Sequence, residues 1–131
     1  ITEGRSLVED VIGRPIAGFV APAWLYGPGA REALSQSRIA VAEDHWRVWS
    51  PPTGRNLAWG PVITWASRSR TRLASSLIAA AALRHAPLKV MRVGVHPPDV
   101  RHTALVRSID RTLSFVCRGR RAARYCDLLG G

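Results

Sequence analysis

A chain of 131 residues with 47% apolar content is long enough for one domain with its own core and too apolar for intrinsic disorder. Its formal charge of +10 raises nucleic acid or another polyanion as a partner, but the cations, all Arg except Lys89, are scattered along the sequence, which argues against a nucleic-acid patch. Cys117 and Cys126 are too few for a disulfide framework and lack zinc-site spacing, although a bridge between them stays open, and the longest apolar run, Leu77 to Leu83, falls short of a membrane span.

The chain opens on Ile1 rather than Met, with Leu7, Val8, Val11 and Ile12 on one helical face, so it reads as a piece of a larger protein whose first helix starts upstream. No signal-peptide pattern occurs within it, which leaves the compartment open with the cytoplasm favoured. Gly13-Arg14-Pro15 predicts a turn and 16–21 a short buried strand stopped by Pro22. A loop with Trp24 and Tyr26 leads through Pro28 into a short helix, Ala30 to Gln36, with Ala30 and Leu34 inward. Ile39 to Ala42 predicts a second strand and Arg47 to Trp49 a brief third segment before the turn Pro51-Pro52-Thr53-Gly54.

Alternation over 62–65 predicts another strand, and Ser67 or Ser69 caps a helix from about Arg70 to Arg84 with Leu73, Leu77, Ala80, Ala81 and Arg84 on one stripe. Leu88 to Val95, β-branched and bounded by prolines, predicts a buried strand ending in His96. Asp99 then caps a helix from about Val100 to Arg118 whose Leu105, Ile109, Leu113 and Val116 share a face. The arginines at 118, 120, 121 and 124 read as a solvated tail beyond that helix, and Ala123 to Cys126 as an edge strand or turn. Strands alternating with helices make an α/β fold of mainly parallel strands, about half of a (β/α) barrel.

Three strand ends carry chemistry: Pro22-Ala23-Trp24, Asp44-His45-Trp46 and His96-Pro97-Pro98-Asp99. In a parallel sheet such ends open on one edge, where ligands bind. An imidazole, carboxylates and indoles there suit a carbohydrate, whose rings stack on aromatic faces while its hydroxyls bond carboxylates. The plainer alternative has Trp24 and Trp46 filling core gaps, Asp44 capping a turn, and Asp99 serving only as a helix cap.

Gly18-Phe19-Val20-Ala21-Pro22-Ala23-Trp24 resembles the third motif of the polysaccharide deacetylases, Asp44-His45-Trp46 their acidic-aromatic fourth motif, and Val95-His96-Pro97-Pro98-Asp99 their closing motif. The resemblance spans nearly the whole chain, in order, and casts residues 1–131 as the C-terminal portion of a single deacetylase-like domain of a divergent branch with NodB homology. It implies a partial (β/α) barrel and metal-dependent hydrolysis of an acetyl group on a sugar. His96 would be the proton donor to the leaving group, Asp44 would tune it, and Pro22, Trp24, Trp46 and Asp99 would line the substrate groove.

The family's first two motifs, a pair of Asp and a His-x-x-x-His pair, have no counterpart here. The resemblance therefore implies no metal site within this chain, a divalent metal, zinc above all, in the complete protein, and no activity from the chain alone. Val20 stands where the family places an Arg that pairs with the acidic motif, so Asp44 is expected to lack that partner. The alternatives are a basic α/β module that binds nucleic acid or another polyanion, and a non-catalytic sugar-binding relative.

Overall fold

The computed structural model describes residues 1–130, which divide into two units, one of residues 1–59 with the last residues from Ala123 on, the other of residues 60–122. In the first, α1 (Thr2–Ile12) ends at Gly13, whose φ of 66° lets its N–H close onto Glu9 O at 2.8 Å. Glu9 also holds Arg5 Nε and the Ile16 N–H, each at 3.0 Å, so one carboxylate ties the helix to the following turn.

β1 (Gly18–Val20) and β2 (Val41–Glu43) are parallel, with Val20 opposite Glu43, and α2 (Pro28–Ser35) lies between them in sequence. Pro28 starts α2 because its fixed φ suits a first turn and its missing N–H is not needed there. β3 (Arg47–Trp49) and β4 (Asn56–Trp59) add antiparallel strands, giving the sheet order β1-β2-β3-β4. Leu34, Ile39, Ala42 and Trp49 are buried together, with Phe19 and Tyr26 against them. The sequence pattern carries no expectation of β4. Its four residues follow a turn in which Gly54, at φ 69°, bonds back to Ser50 O, and the hairpin, not a crossover, is what that turn builds.

In the second unit β5 (Val62–Thr64) and β6 (Arg92–Gly94) are parallel across the crossover helix α3 (Arg70–Leu83). Among the described residues two strand pairings are thus parallel and two antiparallel, where the sequence predicts mainly parallel strands. Of the two candidate caps for α3 it is Ser69 whose Oγ accepts the Arg72 N–H. Ile63, Trp65, Ala80 and Leu105 form the core with Leu73, Leu77, Leu83, Met91, Val93 and Ile109. Gly60 holds φ 130°, and a Cβ there would lie 2.8 Å from the Leu88 side chain.

α4 (Thr103–Val116) starts later than the sequence predicts, after a 3-10 turn over Pro97–Arg101. Asp99 is therefore not its cap. Two prolines remove N–H donors and pin φ, the chain turns tightly, and the Asp99 carboxylate points back to accept the His96 N–H at 2.9 Å. The inner face of α4 also differs: Leu113 is 43% exposed, while Ser108 and Thr112 are buried beside Leu105. Their hydroxyls accept from the buried Trp65 Nε1 (to Ser108 Oγ, 3.0 Å) and from the half-buried Arg84 Nη2 (to Thr112 Oγ1, 3.2 Å). No helix among the described residues is long and apolar enough to cross a membrane, and both cysteines are free thiols.

Candidate functional site

Because β1 and β2 run parallel with Val20 beside Glu43, the segments leaving both strands emerge at one edge of the sheet. Pro22–Trp24 is a 3-10 turn there, and Ala23 and Trp24 hold φ of 53° and 59°, a left-handed conformation that costs a residue with a Cβ about 1–2 kcal/mol. Strain of this kind persists only where surrounding bonds enforce it. The Trp24 N–H closes onto Ala21 O at 2.9 Å, and its indole Nε1 donates to Glu43 Oε1 at 2.8 Å.

Glu43 and Tyr26 are the site residues that sequence reasoning misses. Glu43 is buried at the end of β2 and takes the indole, while its backbone carbonyl accepts the Tyr26 hydroxyl at 2.6 Å. That same hydroxyl accepts the Ala21 N–H at 3.1 Å, so Tyr26 bridges the two strand ends. Burial pushes the Tyr26 phenol up; the Ala21 and Glu43 backbone bonds oppose this, and the Asp44 and Glu43 carboxylates push the same way as burial. An aromatic between two strand-end motifs was the available signal.

Asp44-His45-Trp46 forms the β2–β3 turn. Asp44 Oδ1 accepts the Trp46 and Arg47 N–H groups at 2.8 and 2.9 Å, so it does cap a turn. Its Oδ2 faces Arg47 Nε at 3.4 Å and Arg31 Nη2 at 3.8 Å. Arginines from α2 and β3 thus flank Asp44 where Val20 supplies none, and both guanidiniums lie over the Trp49 ring, at 5.6 and 4.9 Å. The His45 ring meets Trp24 and Trp46 edge-on at 5.8 and 5.4 Å, and Trp46 is 55% exposed. Four of the six residues singled out from the sequence, Pro22, Trp24, Asp44 and Trp46, are brought to this edge.

The other two, His96 and Asp99, stand together beyond the C-terminal end of β6 in the second unit. His96 Nδ1 is 3.7 Å from Asp99 Oδ2, with the imidazole half-exposed and the carboxylate buried. The buried carboxylate orients the exposed imidazole, the arrangement a proton donor needs.

The donors do not fit a resident metal ion. Asp44 spends its oxygens on two backbone N–H groups and two guanidiniums, His45 packs against two indoles, and no group of three or more His, Cys, Asp or Glu among the described residues is placed to hold a cation. Compared with protein-family models, curated proteins and solved structures, the chain matches none of them.

Proposed function

We propose that the chain is the C-terminal part of a polysaccharide-deacetylase-like hydrolase, a partial (β/α) barrel whose own contribution is to hold an N- or O-acetylated sugar and to supply a proton. The observation that carries this reading is the β1–β2 edge, where a strained Trp24 turn, the exposed Trp46 indole and the Asp44 turn stand side by side. An indole face packs on the apolar face of a sugar ring. In the other unit, His96 beside Asp99 is the candidate proton donor. The metal that polarises the acetyl carbonyl in this family would come from motifs outside these residues.

The reading is tested on the parent protein by acetate release from N-acetylated oligosaccharides. Chelator-sensitive release that falls at least about a hundredfold in His96→Ala, with unchanged thermal unfolding, supports it. Wild-type rates in His96→Ala remove His96 from the mechanism. Sugar binding without acetate release assigns the chain to the non-catalytic relatives.

A further inference from the structure

The cations that look scattered along the sequence divide unevenly between the two units. Residues 60–122 hold twelve of the nineteen Arg and Lys but only two of the nine acids, Asp99 and Asp110, a formal +10. The other unit has seven of each and is neutral. A coding bias toward arginine acts on the whole chain and does not produce this division. Asp99 is buried, so Asp110 is the one exposed acid among the described residues of this unit, against ten exposed cations.

Within the unit the charge is also ordered. At 3.6 residues per turn, Arg107, Arg111 and Arg118 project within about 40° of one another on the α4 surface and span about 16 Å along its axis. Leu105, Ser108 and Thr112 mark the buried face, roughly 110° around the helix from the stripe, and all three arginines are exposed. Arg118 lies just past Val116, its N–H still bonded to Phe115 O. None of the three makes an ion pair among the described residues. Arg70 and Arg72 occupy the first turn of α3, where the helix dipole disfavours cations and no acid offsets them. Such a placement is relieved by an external anion.

We infer that residues 60–122 carry a second binding surface, independent of the sugar edge: an arginine stripe on α4 that takes the phosphate backbone of duplex nucleic acid without reading its sequence. Guanidiniums pair with phosphates in bidentate geometry, and their alignment along one side of a helix over about 16 Å suits an extended polyanion. A membrane surface fits less well. An interfacial helix buries an apolar centre flanked by cations, whereas the outer side of α4 has Asp110 at its centre, the arginine stripe to one side and Val106 and Leu113 to the other.

The test is fluorescence anisotropy of a labelled 20-base-pair duplex titrated with the full chain. Three engaged phosphates alone predict that affinity falls about fortyfold between 50 and 200 mM salt. Arg107→Gln/Arg111→Gln/Arg118→Gln should lower the slope of log K against log salt by about three, while Arg14→Gln/Arg38→Gln, on the neutral unit, leaves it unchanged. The wild-type salt slope stands as a test even if the triple variant does not fold. Absence of salt-dependent duplex binding, an equal loss in the Arg14/Arg38 variant, or binding to phosphatidylserine vesicles but not to the duplex overturns the inference.

Discussion

The indole of Trp24 donates to the Glu43 carboxylate at 2.8 Å, joining the turn after β1 to the end of β2. The bond is between a side chain in a strained turn and a buried acid, so it fixes where the aromatic edge stands. Glu43→Ala leaves the indole N–H without its acceptor and should lower stability by about 1–3 kcal/mol. Glu43→Gln keeps an acceptor oxygen and should lose less. Chemical denaturation of the two variants gives the comparison, and equal losses would mean that the bond does not hold the turn.

Ala23 is the residue at φ 53° that a side chain least tolerates. Ala23→Gly should therefore stabilise the chain by about 1 kcal/mol, against the usual destabilising effect of glycine. Thermal unfolding reads the sign. A decrease in Tm would show that the left-handed turn is not strained in solution.

Glu9 responds to acid in a defined direction. Its carboxyl is held below the ordinary value of 4.5 first by the Arg5 side-chain hydrogen bond and then by the Ile16 N–H, with desolvation opposing both. A depressed folded-state pKa means that the tether is complete above that ordinary value and is lost as pH falls through the lower folded one. The Ile16 amide, followed by NMR from pH 6 downward, should report the carboxylate's titration below 4.5 and lose its protection there. Titration at or above that value contradicts the tether.

The inner face of α4 separates two leucines that the spacing of the sequence groups together. Leu105 is fully buried, and Leu105→Ala should cost about 2–5 kcal/mol. Leu113 is 43% exposed, and Leu113→Ala should cost less than about 1 kcal/mol. Similar losses would restore the face drawn from apolar spacing alone.

That contrast shows why some of the structure was legible in the sequence and some was not. Apolar spacing located α3 and α4, and Ser69 announced its helix, because those signals are local. The inner face of α4 depends instead on what lies opposite: Trp65 and Arg84 each bring a hydrogen-bond donor, so Ser108 and Thr112 displace a leucine. β4 was hidden because Asn56 to Trp59 carries no alternation and becomes a strand only by pairing with β3. Asp99 read as a helix cap because it precedes an apolar run, but Pro97 and Pro98 impose a tight turn first. At the candidate site the strand-end motifs supplied Trp24, Asp44 and Trp46, whereas Glu43 and Tyr26 matter through contacts 17 to 19 residues away in sequence. The division of charge between the units was invisible until the units themselves were known.

The central claim is that the β1–β2 edge holds an acetylated sugar, and tryptophan fluorescence under titration with an N-acetylglucosamine oligomer tests it most directly. A saturable change in emission that disappears in Trp46→Ala, with thermal unfolding unaltered, is the predicted result. An emission spectrum unmoved by millimolar oligomer, or an identical response from Trp46→Ala, contradicts it.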